Sequence, residues 1–333
     1  MEIKSGIPLS VAMAMVMGAS WAEGAVVGGV SIDIKEAPYQ IHLTAGSSGC
    51  GGTWIGGRWI VTAGHCVEGE SASQSFVSVG ITRDRDMSKS QIPVKRIISH
   101  PDYPSTGEKD IALLELAQDI TSVVAKPVPY ATPADTLAGL TAVGKAGRLT
   151  GWGALSQAAN RWPDSLQKLD AKIAGGRASN KWQIFFAGAQ GSTLQGSCFG
   201  DSGGPLVVKD AAGTGWILAG VVSSGSSVCG DAEPDSYTRL SMFSDWIKTS
   251  TGGVTAVPNP AQNALPPFWQ GNAIWLEKPE VLDISVANVA GTLVRHTRRA
   301  YPAGEHALSL AGLPAGIYYA NVKGKGIGIL RQN

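Results

Sequence analysis

Residues 26–252 are a succession of short apolar runs cut every few residues by glycine, proline or aspartate. That punctuation leaves room for strands and tight turns but for little helix. Phe76-Val77-Ser78-Val79, Ile111-Ala112-Leu113-Leu114 and Trp216-Ile217-Leu218-Ala219-Gly220-Val221-Val222 have the length and composition of sandwich or barrel strands. The clearest helical pattern spans Ser241 to Ser250, with Met242, Phe243, Trp246 and Ile247 on one face. Composition agrees with an all-β chain. The 43 glycines in 333 residues are nearly twice the usual share, and charged residues, at 16%, are too few for a coiled coil. The 44% apolar content excludes disorder, and 27 basic against 26 acidic side chains leave no footprint for nucleic acid.

The N-terminus sets the compartment. Lys4 precedes an uncharged apolar stretch, Ile7 to Ala19, shorter than the roughly 20 residues a bilayer needs. Ser20-Trp21-Ala22 supplies a small-x-small cleavage pattern, so residues 1–22 read as a secretory signal rather than a stable membrane span. Export would put the four cysteines where disulfides persist, with three pairings open. Residues 253–267, with Pro258-Asn259-Pro260 and Pro266-Pro267, lack charge and periodicity and read as a linker. Residues 268–333 return to a strand pattern and form a second, smaller unit.

Three motifs carry chemistry: Thr62-Ala63-Gly64-His65-Cys66, Lys109-Asp110-Ile111-Ala112 and Gly200-Asp201-Ser202-Gly203-Gly204-Pro205. Each alone has an ordinary reading as a core histidine, a capped turn or a tight loop. Together they supply what a serine nucleophile requires. A serine hydroxyl needs an adjacent base, and imidazole, titrating near 6.5, suits that task. The imidazole needs a carboxylate to fix its tautomer, and glycines beside the serine free backbone N–H groups for a developing oxyanion.

The chain resembles the trypsin/chymotrypsin family of serine endopeptidases over about residues 26–250. The resemblance implies two six-stranded antiparallel Greek-key barrels followed by a C-terminal helix, with catalytic His65, Asp110 and Ser202 in the cleft between them. It implies an oxyanion hole from the Gly200 and Ser202 N–H groups, and Ser223 as support for the buried Asp110. Disulfides Cys50–Cys66 and Cys198–Cys229 follow from it as well. Phe186 stands where many relatives carry cysteine, leaving the loop before it less restrained. The resemblance implies protein or peptide substrates, and the chain is expected to be a monomer. No cofactor or metal is called for: His42, His100, His296 and His306 lack ligand spacing, and Glu68, Glu70, Asp84 and Asp86 do not match a calcium loop.

Val26-Val27-Gly28-Gly29 is similar to the family's mature N-terminus, where a freed ammonium pairs with the aspartate before the nucleophile, here Asp201. Residues 23–25 then form a short propeptide, but Ala25 precedes the cut where relatives have Arg or Lys. The substrate pocket would be lined by Gly196, Ser197, Ser223, Gly225 and Asp235. Gly196 takes the floor position where an aspartate would select Arg and Lys, and Asp235 falls on the opposite wall, near the base. This reads as basic or mixed specificity. The alternatives are a neutral pocket of chymotrypsin or elastase type, or a non-catalytic binding protein. Residues 268–333 resemble the C-terminal sorting domain of the bacterial type IX secretion system, a small Ig-like β-sandwich whose partner is the secretion machinery. The alternative is a β-sandwich that binds substrate or the cell surface. The resemblance implies transit through the periplasm to the exterior or the cell surface.

Overall fold

The computed structural model describes residues 26–103, 108–156, 161–174, 181–187, 194–254, 269–270, 272–276, 279–302, 304–323 and 326–332. The expected signal and propeptide, and all but the first two residues of the expected linker, lie outside them.

The first barrel is closed by β2 (Gln40–Ala45), β3 (Ser48–Gly56), β4 (Trp59–Thr62), β5 (Ser75–Val79), β6 (Gln91–Ser99) and β7 (Ala112–Leu116), paired in the order β2-β3-β4-β7-β6-β5. The second uses β8 (Ala146–Gly151), β9 (Gln167–Ala174), β10 (Gln183–Phe186), β11 (Pro205–Lys209), β12 (Trp216–Ser224) and β13 (Asp235–Arg239). These run in the order β9-β10-β13-β12-β11-β8, and β8 pairs back to β9 to close a six-membered ring. The short β1 (Val30–Ser31) adds to β9 from outside.

Alternation along the strands explains the fully apolar runs. In β11, Leu206 and Val208 face the interior of the second barrel, while Val207 joins the core of the first. In β12, Ile217 and Ala219 fill the second barrel, and Leu218 and Val221 turn to the seam. Both faces are dry, so no polar residue interrupts the pattern. The seam between the two barrels is therefore apolar and continuous.

Two α-helices lie wholly within the described residues of this unit. α1 (Pro133–Leu137) starts at Thr132, whose hydroxyl and N–H form a reciprocal capping box with Asp135. α2 (Ser244–Ser250) begins later than the sequence pattern suggests, because Leu240–Met242 forms a 3-10 turn and Phe243 leaves helical geometry. Phe243 and Ile247 are nonetheless fully buried, as their spacing requires. Beyond residue 252 the chain stays attached: the Tyr130 hydroxyl donates to the Val254 carbonyl at 3.0 Å.

The remaining strands are β14 (Trp269–Gln270), β15 (Ala273–Leu276), β16 (Glu280–Asn288), β17 (Leu293–Tyr301), β18 (Gly304–Ala307), β19 (Gly316–Val322) and β20 (Gly326–Gln332). They form sheets β14-β15-β18 and β17-β16-β19-β20. One apolar cluster, including Ile274, Leu282, Ile284, Tyr318, Val322 and Leu330, draws on both sheets.

Candidate active site

β4 runs out of the first barrel at Thr62 and delivers His65 one turn later; the strand beginning at Ala112 places Asp110 just before it. Asp110 is 3% exposed and organises the surrounding groups. Its Oδ1 accepts the His65 backbone N–H at 2.9 Å, and its Oδ2 accepts His65 Nδ1 at 2.8 Å and the Ser223 hydroxyl at 2.7 Å. The Thr238 hydroxyl donates to its backbone carbonyl. A carboxylate can only accept, so it holds the proton on Nδ1 and leaves the Nε2 lone pair available. Thr238 and Ser223 belong to β13 and β12, so the second barrel braces an aspartate carried by the first.

The loop that carries Ser202 is pinned against the first barrel. Gly51 N–H donates to the Ser202 carbonyl at 2.7 Å. Gly203 has φ +77°, and a Cβ there would stand 2.2 Å from Thr62 Oγ1. Only glycine lets the two barrels approach this closely. Gly200, at φ +90°, turns the loop so that neither its N–H nor that of Ser202 is taken by another described residue. The hydrogen bond from Ser202 Oγ to the His65 ring is not closed among the described contacts. Such bonds often tighten only when substrate arrives.

Asp201, fully buried, accepts the Gly153 N–H on Oδ1 and the Cys198 N–H on Oδ2, each at 2.9 Å. Burial, with a smaller contribution from nearby Asp235, pushes its carboxyl up to about 7, against the pull of those two donors. Val26 is wholly buried, and Val27 pairs with Gly196, so Val26 and Val27 lie along the segment that leads to Ser202.

The residues expected to line a substrate pocket also converge. Asp235, 3% exposed, accepts both the N–H and the hydroxyl of Ser197 on Oδ2. A Cβ at Gly196 would stand 2.7 Å from Asp235 Oδ2, and one at Gly225 would stand 2.4 Å from Oδ1. The two glycines thus make the space that the carboxyl occupies. Burial pushes this acid up to about 6, and Asp231 adds to the rise.

The disulfides Cys50–Cys66 and Cys198–Cys229 are formed. The first lies beside the histidine, with Cys66 Sγ 3.7 Å from His65 Nε2. Cys50, His65 and Cys66 group as potential metal ligands, but the disulfide engages both sulfurs. Phe186 is fully buried and meets Tyr237 edge-on at 5.8 Å, so an aromatic contact occupies the place of the missing cysteine. Glu68, Glu70 and Asp86 are engaged apart from one another, toward Tyr103, Gly46 and Lys89.

Three neighbours escaped the sequence reading. Tyr103 closes over Gly64, where a Cβ would stand 2.9 Å from its Cγ and 3.2 Å from Asp110 Oδ1. Burial, Asp110 and Glu68 together push its phenol up to about 12. Trp162 and Phe199 are large aromatics left 54% and 53% exposed, and Trp162 lies against Gly200. Their signal was available as isolated aromatics in turn-rich segments, but only the fold shows what they flank.

The comparisons agree with this geometry. The family profile described as Trypsin matches residues 26–247. The chain is 32% identical over 244 residues to "Trypsin Blo t 3" of Blomia tropicalis, covering 69% of this chain and 87% of that protein. It is 34% identical over 243 residues to "Trypsin Tyr p 3.0101" of Tyrophagus putrescentiae, with 68% and 80% covered. Against "Kallikrein-8" of Homo sapiens it is 32% identical over 260 residues, with 72% and 93% covered.

Proposed function

The chain belongs to the trypsin family of serine proteases, and from that premise we propose that it is a secreted endopeptidase acting through His65, Asp110 and Ser202, with a preference for basic side chains set by Asp235. The observation that carries the catalytic reading is the pairing of His65 with Asp110, whose Oδ2 also receives Ser223.

In this reading Nε2 of His65 takes the Ser202 proton as Oγ attacks the substrate carbonyl. Asp110 stabilises the resulting imidazolium, and the Gly200 and Ser202 N–H groups hold the oxyanion. His65 then returns the proton to the leaving amine, and water repeats the sequence on the acyl-enzyme. The positive charge of an Arg or Lys side chain would neutralise Asp235, offsetting the desolvation of both.

Ser202→Ala is expected to lower kcat/KM by about 10⁴-fold or more, the scale known for serine-protease triads, and a serine-directed sulfonyl fluoride should label the wild type but not this variant. Hydrolysis that survives the substitution would overturn the proposal. It would favour a binding protein on a protease fold.

The chain is further read as a zymogen. The ammonium released at Val26 would supply the cation that buried Asp201 lacks, and the cut after Ala25 would fall to a protease of another specificity. The two-sheet unit after residue 268 is read as a small Ig-like sorting domain for export. That places the enzyme outside the cell or on its surface, as a monomer acting on proteins or peptides. Among the described residues no helix is long and apolar enough to cross a membrane.

A further inference from the structure

Asp235 differs from a permanently charged pocket residue in how its two oxygens are treated. Oδ2 receives two donors, both from Ser197. Oδ1 receives no described donor and lies on the Gly225 side, where the substrate side chain would enter. None of the groups packed around the carboxyl compensates its charge. Gly196, Ser197 and the buried Asp201 come from the segment before the nucleophile, and Gly225 from the end of β12. The following loop brings Asp231, itself held by the Ser226 hydroxyl and the Glu233 N–H. β10 brings the apolar Phe186, opposite Asp235 in register. On β13 itself stands Tyr237, whose phenol is raised well above its ordinary range by burial and by both acids. No cationic partner of Asp235 appears among the described residues, and every charge it faces is negative.

We propose that this pocket serves two substrate classes, cationic side chains when Asp235 is ionised and large uncharged ones when it is protonated, so that pH selects between them. The inference rests on the reading of Asp235 as the base of the substrate pocket. An apolar side chain seated on an ionised, unpaired carboxylate strips its remaining water and is rejected. Once a proton sits on Oδ1, that penalty disappears. The neutral acid keeps both Ser197 donors on Oδ2, and an Arg or Lys side chain no longer finds a charge. With the carboxyl pushed up to about 6, both forms are populated in mildly acid to neutral solution.

The test is a ratio. Two anilide substrates identical except for Arg or Phe before the scissile bond are hydrolysed by the active enzyme, obtained from the full chain, between pH 5 and 8.5. Their kcat/KM values are divided at each pH. Ionisation of His65 and Asp201 affects both substrates alike and cancels, and the Arg side chain does not titrate in this range. The Arg-to-Phe ratio should rise by up to about tenfold per pH unit on both sides of about 6, because the same proton that admits Phe excludes Arg. A ratio that instead levels off above about 6 would mean that the ionised acid does not reject Phe. Asp235→Asn, a permanently neutral stand-in, should hold the ratio at its low value at every pH. A wild-type ratio independent of pH, with Arg preferred throughout and that preference lost in Asp235→Asn, overturns this inference and leaves the proposed basic specificity standing. A ratio that Asp235→Asn leaves unchanged at pH 8 overturns both. The wild-type profile stands alone should the variant fail to fold.

Discussion

His42 sits on β2 with its ring edge-on to Trp152 at 6.2 Å, and its Nδ1 is buried without a hydrogen-bond partner. Burial lowers its pKa, against a weaker pull from Asp84. The folded chain therefore keeps this ring neutral, while the unfolded chain binds a proton near pH 6.5. The unfolded state holds more protons below that point, so the stability His42 supports is complete above about 6.5 and is lost as the pH falls. Replacing it with leucine removes the linkage. In a Ser202→Ala background, which prevents self-digestion, the Tm of His42→Leu should gain on that of the parent as the pH drops from 7 to 5. A gap that stays constant over this range would count against a neutral buried ring. The same scale shows why the candidate catalytic residues were legible when their supports other than Ser223 were not. His65, Asp110 and Ser202 sit in compact motifs because each needs particular neighbours in sequence, such as the glycines at 200 and 203. Thr238 donates to the Asp110 backbone carbonyl from a distant strand and Tyr103 closes over Gly64 beside Asp110, and nothing local in the sequence requires their residue types.

At the scale of elements, β5, β7 and β12 were readable from short apolar runs. By contrast, β3, β8 and β13 are too rich in glycine or polar residues to show one, and the two barrels themselves came from the family resemblance. Helix α1 escaped notice. Five residues show no periodicity, and its only signal was the Thr132 and Asp135 capping pair. The two-residue β1 was equally silent, since it forms only by adding to β9. The segment before β1 carries a sharper expectation. Val26 is wholly buried with φ +54°, an unusual conformation for a β-branched residue joined to a preceding peptide. In the proposed activation, release from Ala25 would remove that backbone restriction and supply Asp201 with a cation. A buried carboxylate left unpaired costs about 3–5 kcal/mol, so a chain retaining Glu23–Ala25 should be roughly a hundredfold or more less active than one beginning at Val26. Active-site titration of both forms checks this, and equal activity would remove Val26 from the mechanism.

For the whole molecule, the question is whether the protease unit depends on the strands that follow it. The two barrels share a continuous apolar seam, whereas the cluster beneath β15, β16 and β19 is separate from it. The join is small and polar in part. The turn between β16 and β17 approaches α1, where a Cβ at Gly291 would stand 3.4 Å from Thr136 Cγ2, and Lys181, Arg239 and Ser241 line a cavity of about 220 Å³ beside it. This surface lies at α1, β13 and the 3-10 turn that follows β13, and none of its lining residues belongs to the triad or the pocket. A unit with its own core and a limited join is suited to a task other than hydrolysis. Deleting residues 268–333 should therefore leave kcat/KM on small anilide substrates within about twofold of the full chain, because separated groups act additively. Export from the native cell should fail, with the truncated protein retained behind the outer boundary. Normal export together with weakened cleavage of large or surface-bound proteins would instead identify the β unit as a substrate-binding module. Loss of activity on the small anilides would show that the barrels need this unit to hold their own cleft.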